Sequence, residues 1–158
     1  MTISLKITLG LIKRSRPDFD FVVFRDTPLA GLSRPLNKCR LALVTTAGLH
    51  LKSDRPFDLS LKQGDCSYRM LPGDFTRDEV MVSHKWYNHK YINADLNCVV
   101  PIDRMKEYVS EGVIHSLSDE HYSFMGHIYD AKPLIHNSMK VGERLKKLEV
   151  DIAFLTPT

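Results

Sequence analysis

The stretch that decides the fold is CRLALVTTAG, Cys39–Gly48. It contains the continuous apolar run Leu41 to Val44, followed by two threonines, an alanine and a glycine. An apolar run without polar alternation is typical of a strand that is buried on both faces of a parallel sheet. We therefore expect a central strand here, which ends in a loop at about Thr45.

Two amphipathic helices are predicted downstream of this strand. PIDRMKEYVSEGVI, residues 101–114, has Pro101 near its first turn and Gly112 as a left-handed stop, with apolar residues at helical spacing between them. A second helix is predicted from about Pro133 to Leu148, because apolar residues form a stripe opposite a basic face.

Strand-like segments surround these helices. VMVSHKWY, residues 80–87, predicts a second strand, residues 113–127 supply further strand material, and VDIAFLT, residues 150–156, predicts the last strand. Residues 52–75 are rich in Asp, Gly, Pro and Ser and are interpreted as a long excursion, that is, an irregular connection between the first two predicted strands. This order predicts an α/β fold with a mainly parallel sheet and flanking helices, of the Rossmann or flavodoxin-like type and incomplete at its C-terminus.

The chain is divided into two parts by composition. Residues 1–38 are predicted to form an N-terminal arm, in which a short helix at about Ser4–Ile12 precedes three prolines that interrupt regular structure. Residues 39–158 are predicted to form one α/β domain.

Composition excludes several classes of function. A net charge of +3 without a concentrated basic stripe argues against nucleic-acid binding. No segment has the roughly 20 apolar residues that a membrane span needs, and the basic residues near the N-terminus follow its apolar run, unlike those of a secretory signal. The odd count of 3 cysteines, without a CxxC pair, argues against a disulfide framework. A cytoplasmic location is therefore expected.

The predicted topology also locates a candidate site. In open parallel sheets ligands bind beyond the carboxyl ends of the strands. Three segments define that edge here: Thr45 to His50, Ser123 to Gly126, and the residues after Thr156. Hydroxyls, free amides and an imidazole between Thr45 and His50 suit a carboxylate or phosphate, although a structural turn with a hydrogen-bonded histidine fits the same pattern.

Other catalytic and metal patterns are weak. The seven histidines show no HExxH or Cys/His zinc spacing, so no metal site is predicted and a metal-dependent hydrolase is a remote alternative. Ser83 and His84 are neighbours in sequence, but adjacent strand residues point to opposite faces, which argues against a nucleophile–base pair.

Six motifs, taken in order, resemble the selenoprotein B family of glycine, sarcosine, betaine and D-proline reductases. The resemblance extends from about Pro17 to Thr158. The motifs are CRLALVTTAGLHLKSDRPFD (39–58), GDCSYRMLPGD (64–74), MVSHKWYN (81–88), NCVVPIDRMKEYVSEGVI (97–114), HYSFMGHI (121–128) and DIAFLTPT (151–158).

The resemblance implies reductive cleavage of a carbon–nitrogen bond in a small amino acid or amine. In the family a selenocysteine or cysteine acts as the nucleophile, a partner subunit carries a pyruvoyl group, and dithiols supply the electrons. A selenium or sulfur anion suits this role because it is strongly nucleophilic and is readily released by a second thiol.

The family resemblance implies that the nucleophile follows the strand resembling DIAFLTPT, and it is therefore expected just after Thr158. Because selenocysteine is encoded by a codon otherwise read as stop, the hypothesis is that the reading frame continues beyond Thr158. A cut or degenerate gene is the alternative. Cys66 and Cys98 do not align with the nucleophile, so no catalytic residue is expected within the chain itself.

The residues carried over as lining the substrate site lie in matching motifs near predicted strand ends. His50 is the candidate for proton handling. The chain is expected to bind a partner reductase subunit within an oligomer or complex, and a sheet that lacks later strands should expose an apolar edge. The alternative function is a non-catalytic binding or assembly module. The ten site-lining residues are Thr45, Thr46, His50, Ser83, His84, Ser123, Met125, Gly126, Thr156 and Thr158.

Overall fold

The main sheet is built around the predicted central strand. A computed structural model describes residues 3–15, 17, 26, 28–85 and 87–158. In it, β1 (Arg40–Thr45) is almost completely buried and runs parallel to β7 (Ile152–Thr156). The two strands pair residue by residue from Leu41 with Ile152 to Thr45 with Thr156. The buried strand and the last strand are therefore confirmed as parallel neighbours.

Two short strands share the other edge of β1. β5 (Ser116–Leu117) pairs with the start of β1, and β6 (Glu120–Phe124) pairs with its end, both in parallel. Because β7 lies along the opposite edge, β5 and β6 follow one another on this side. Between them the backbone N–H of Leu43 donates to Nδ1 of His121 at 3.1 Å, so a side chain replaces one ladder bond.

The rest of the strand pattern differs from the prediction. β3 (Tyr68–Pro72) lies inside the expected excursion and pairs antiparallel with β6, so the sheet is mixed. The predicted strand at 80–87 is too long: only β4 (Val80–Val82) is a strand, and it pairs antiparallel with β2 (Leu49–Leu51) in a separate two-stranded sheet. Trp86, within that prediction, lies outside the described residues.

Both main helices are confirmed. α3 (Ile102–Ser110) follows Pro101, and Gly112, just beyond its end, has a φ of 71°. α4 (Ala131–Lys147) begins after Asp130, whose side chain accepts from the backbone N–H of Lys132. The described part of the chain also contains two further α-helices, α1 (Ile3–Ser15) and α2 (His89–Ala94), and three single-turn 3-10 helices.

Helices lie on both faces of the sheet. Successive side chains of a strand point to opposite faces. Accordingly Leu43 packs in a core cluster that includes Ile102 of α3, whereas Val44 packs in a second cluster with Val141 of α4. This mixed α/β arrangement confirms the flanking helices and the mostly parallel pairing around β1. The finer Rossmann or flavodoxin-like type stays a prediction, as does the division at residue 38.

β7 forms an apolar edge of the sheet. Among the described residues only β1 pairs with it, and Leu155 is 72% exposed. A groove of about 430 Å³ lies beside it, lined by Leu155 and by apolar side chains of α4 such as Leu134 and Leu145. The expected exposed apolar edge is therefore present. No helix in the described part of the chain has the length and hydropathy to cross a bilayer.

Candidate functional site

The carboxyl ends of β1, β6 and β7 meet around Gly126. A Cβ atom on Gly126 would lie 3.1 Å from the backbone oxygens of both Thr46 and Thr158, and 3.4 Å from Nε2 of His84. Backbone oxygens at that distance leave little room for a side chain. Gly126 thus brings the ends of three strands and the segment after β4 into one place, as strand-end reasoning predicts.

Thr46 and Thr158 form the polar rim of this site. The backbone N–H of Thr158 donates to Oγ1 of Thr46 at 3.0 Å, and the two hydroxyls lie 3.1 Å apart. The N–H of Thr46 donates to the carbonyl of Thr156 at 3.1 Å, which continues the β1–β7 ladder. Thr158 is exposed and Thr46 is half-buried, so their hydroxyls are the ones that a ligand could reach at this edge.

Four other predicted site residues support the rim from inside. The hydroxyls of Thr45 and Thr156 both donate to the carbonyl of Val99, at 2.9 and 2.6 Å. Oγ of Ser123 accepts from the N–H of Leu49 at 2.8 Å, and Met125 is almost fully buried. These side chains hold the strand ends and the following loop in position.

His50 and Ser83 form a separate pair. Nδ1 of His50 lies 2.7 Å from the carbonyl of Leu51, which can only accept, so Nδ1 carries the proton. In the neutral ring Nε2 then accepts from the Ser83 hydroxyl at 2.9 Å. Ser83 thus pairs with His50 across the β2–β4 sheet and not with its sequence neighbour His84. The arrangement orients an imidazole base beside a hydroxyl, although His50 is only 1% exposed.

His84 belongs to a cluster of rings that the sequence did not reveal. Its ring centroid lies 4.6 Å from that of Tyr87, and Tyr87 lies 5.0 Å from His89. His127, directly after Gly126, lies close enough to His84 to affect its pKa, and its ring packs against Tyr129 with centroids 4.6 Å apart. Burial first, then the charges that His127 and His89 would carry, lower the pKa of His84 below its ordinary value. The only sequence signal was the density of His and Tyr in residues 84–91 and 121–129.

A small pocket adjoins the rim and Tyr87. It measures about 320 Å³ and includes Tyr87, Ile92, Val99 and Thr158 in its lining. The Tyr87 hydroxyl donates to the carbonyl of Ala47 at 2.7 Å, and burial, with a smaller effect from Cys98, raises the pKa of Tyr87 to about 12. The phenol is therefore uncharged at neutral pH, and the pocket is mainly apolar.

Neither Cys39 nor Cys66 supplies an activated thiolate at the rim. Cys39 is buried against the carbonyls of Arg34 and Pro35. Burial first, then Asp130 and Asp65, raise the pKa of the Cys66 thiol, which disfavours its nucleophilic form. Within the described ranges no group of three or more His, Cys, Asp or Glu side chains is arranged to hold a metal ion.

A family model and individual proteins of known name point to the same group of reductases. Residues 16–158 match the family model described as glycine/sarcosine/betaine reductase selenoprotein B. The chain is 37% identical over 126 residues to D-proline reductase subunit gamma of Acetoanaerobium sticklandii. It is 33% and 28% identical over 127 residues to the glycine reductase complex component B subunits gamma of Symbiobacterium thermophilum and Carboxydothermus hydrogenoformans.

The match covers most of this chain but only part of each relative. It includes 79% of the chain in all three cases, 51% of the D-proline reductase subunit, and 30% and 29% of the two glycine reductase subunits. No solved structure matches the chain. Because the family model spans nearly the whole sequence, the chain belongs to the glycine/sarcosine/betaine reductase selenoprotein B family.

Proposed function

We propose that this chain is part of a subunit of a reductase complex that cleaves a carbon–nitrogen bond of a small amino acid or amine. Substrates of the glycine, sarcosine, betaine and D-proline class follow from the family description and from the names of the relatives. The observation that carries the proposal is the convergence of three strand ends and the His84 ring at Gly126, since this is where ligands bind in such sheets.

The proposed nucleophile is a selenocysteine or cysteine that follows the strand β7. A residue placed there would lie beyond Thr158, next to the hydroxyls of Thr46 and Thr158. The raised pKa of the Cys66 thiol supports this assignment, because a neutral thiol is a poor nucleophile. The pyruvoyl group is assigned to a partner subunit and the electrons to a dithiol.

The ten site residues divide into three proposed roles. Thr46, His84, Gly126 and Thr158 form the surface that substrate meets, whereas Thr45, Ser123, Met125 and Thr156 hold that surface in place. His50, with Ser83 as its hydrogen-bond donor, is proposed as a proton-handling group that acts through Ser83, because its own ring is buried.

The decisive experiment extends the chain through the codon after Thr158. The gene with its downstream frame would be expressed in a host that decodes selenocysteine, together with genes for the partner reductase subunits. Mass spectrometry should show a product heavier than 18.1 kDa. The assembled complex should oxidise a dithiol in the presence of glycine, sarcosine, betaine or D-proline.

The matched control is the 158-residue chain expressed with the same partners, which should assemble without turnover. An assembled long product that reduces none of the four substrates would contradict the reductase assignment. That result would favour the alternative function, a non-catalytic α/β module that binds or assembles the complex.

A further inference from the structure

We propose that the apolar groove between α4 and β7 is the docking site of an amphipathic helix that follows Thr158 in the same polypeptide, and that the strand after this helix pairs in parallel with β7. The inference rests on the proposed function for one point, the continuation of the polypeptide beyond Thr158. We call the groove, together with the unpaired edge of β7, the β7 groove. Its floor includes Val44 of β1 and Ala153 and Leu155 of β7.

The first step is the shape of the β7 groove. It encloses about 430 Å³, and one of its walls is α4. Ile135, Ser138 and Gly142 lie on this wall at spacings of three and four residues, which forms a ridge that another helix can pack against. A Cβ atom on Gly142 would meet nothing within 4 Å, so the space above this part of α4 is open. In the described structure β7 is the last strand on this side, so no second helix closes the groove.

The second step is the unpaired edge of β7. The carbonyl of Thr156 accepts from the N–H of Thr46, so the peptide groups of Thr156 face β1. Because successive residues of a strand direct their peptide groups to opposite edges, those of Ala153 and Leu155 face away from β1. Among the described residues no strand lies on that side. Ala153 and Leu155 therefore offer the donors and acceptors that a further parallel strand needs.

The third step is the hand of the connections between strands. The connection from β6 to β7 places α4 on the face to which Val44 points, and the connection from β1 to β5 places α3 on the opposite face, beside Leu43. These connections advance in opposite directions across the sheet, so they have the same hand. Connections between parallel strands are almost always right-handed. A third connection of this hand, advancing beyond β7, places its helix on the α4 face. Leu155, the partner of Val44 in the ladder, points to that same face.

The fourth step is the position of Thr158. Its N–H donates to Oγ1 of Thr46 at 3.0 Å, and Thr46 lines the β7 groove. Polypeptide that continues from Thr158 therefore starts at the mouth of the groove, and a helix that runs back along β7 lies parallel to α4. About 12 helical residues match the roughly 17 Å length of β7. The proposed nucleophile would lie in the first turn of this helix, where the helix dipole stabilises an anion.

The length of the relatives supports an occupant from the same polypeptide. The chain spans about half of the D-proline reductase subunit and less than a third of the glycine reductase subunits that it matches. Proteins of this family therefore have enough further residues to supply a helix and a strand. A single helix–strand unit fills the groove and pairs with the edge of β7 at the same time, which a strand of a second copy alone does not.

The test compares hydrogen exchange in the long product, expressed through the codon after Thr158, with exchange in the 158-residue chain. Both would be measured by mass spectrometry at a dilution at which sedimentation velocity shows monomer, and the long product also in the assembled complex. Peptides covering residues 131–145 and 152–156 should exchange about tenfold more slowly in the long product, because the docked helix and the added strand protect them.

A matched pair of variants on α4 tests the groove itself. Ile135 lines the β7 groove and is 38% exposed, whereas Met139 is 62% exposed and lies outside its lining. In the 158-residue chain I135K and M139K should both fold, as circular dichroism can show. In the long product I135K should speed limited proteolysis beyond Thr158 about tenfold, because its charge would lie beneath the docked helix, and M139K should not.

Other outcomes overturn the inference. A long product that turns over substrate but exchanges at β7 like the 158-residue chain would exclude the docked helix and leave the proposed function intact. A product of only 18.1 kDa would remove the continuation on which both proposals rest. Protection seen only in the assembled complex would identify a partner subunit as the occupant, and equal protection in the concentrated 158-residue chain would identify a second copy. Equal proteolysis of I135K and M139K would exclude the groove, and if I135K fails to fold, hydrogen exchange of the unsubstituted long product decides.

Discussion

The backbone N–H of Leu43 donates to Nδ1 of His121 at 3.1 Å, at the point where β5 ends and β6 begins along the same edge of β1. An imidazole nitrogen can accept this bond only when it is unprotonated. His121 is fully buried beside Phe75, with ring centroids 6.2 Å apart. The continuity of the sheet edge therefore depends on the protonation state of one side chain.

The stability of the fold should fall in mildly acidic solution because of His121. Burial first, then Lys106, lowers the pKa of His121 from 6.5 to about 4 in the folded chain. The unfolded chain binds this proton more readily, so the contribution is complete above pH 6.5 and is lost as the pH falls towards 4. The free energy of unfolding should drop by on the order of 3 kcal/mol across this window.

Urea unfolding at pH 7.5 and 4.5 measures this effect. H121F removes the titrating group, so its free energy of unfolding should depend less on pH, although it is lower at pH 7.5 because the Leu43 N–H loses its acceptor. H115Q, at an exposed histidine, should keep the pH dependence of the parent chain. An equal slope in H121F and the parent would show that His121 is not the group responsible.

The close approach of backbone at Gly126 predicts a costly substitution. In G126A the new Cβ would meet the backbone oxygens of Thr46 and Thr158 at 3.1 Å, so the strand ends would have to shift by a few tenths of an ångström to accommodate it. We expect a loss of about 1–3 kcal/mol in the free energy of unfolding. G142A is the matched control, since a Cβ on this helical glycine meets nothing within 4 Å and should stabilise the chain by about 0.5–1 kcal/mol. Equal stabilities of the two variants would disprove the tight junction.

Local sequence patterns were sufficient to predict β1, α3 and α4. The apolar run of β1, the stops at Pro101 and Gly112, and the stripe of α4 each carry their own physical signal. β3 carried none, because Tyr68–Pro72 lies among Asp and Gly residues and becomes a strand by pairing with β6, more than forty residues later along the chain. Its strand character is set by tertiary contact and not by periodicity.

The candidate site, like the fold, could be predicted only in part from the sequence. Strand-end reasoning brought Thr46, Gly126 and Thr158 together because the carboxyl ends of parallel strands share an edge. It could not pair His50 with Ser83, since that contact depends on the antiparallel register of β2 and β4. Nor could it place His89 and His127 near His84, since that proximity depends on the loops that follow β4 and β6.

The hydroxyl of Thr46 should order the segment at Thr158. T46V keeps the shape of the side chain but removes the acceptor of the Thr158 N–H and the partner of its hydroxyl. The free energy of unfolding should change by about 1 kcal/mol or less, because the site is partly exposed. Amide hydrogen exchange at Thr158 should accelerate clearly. T46S retains the hydroxyl and should exchange like the parent, and a protected Thr158 amide in T46V would refute the role of this bond.

The exposed edge at β7 should make the chain self-associate. Phe154 and Leu155 are 40% and 72% exposed on a strand whose only partner in the described structure is β1. Open strand edges with apolar side chains pair with other chains, and a charge on the edge opposes this. L155K should therefore shift the chain towards monomer in sedimentation velocity at matched concentrations. M139K adds the same charge at a 62% exposed position of α4 and should leave the distribution unchanged. A parent chain that is already monomeric would contradict the predicted self-association. Equal effects of the two lysines would place the association on a surface other than β7.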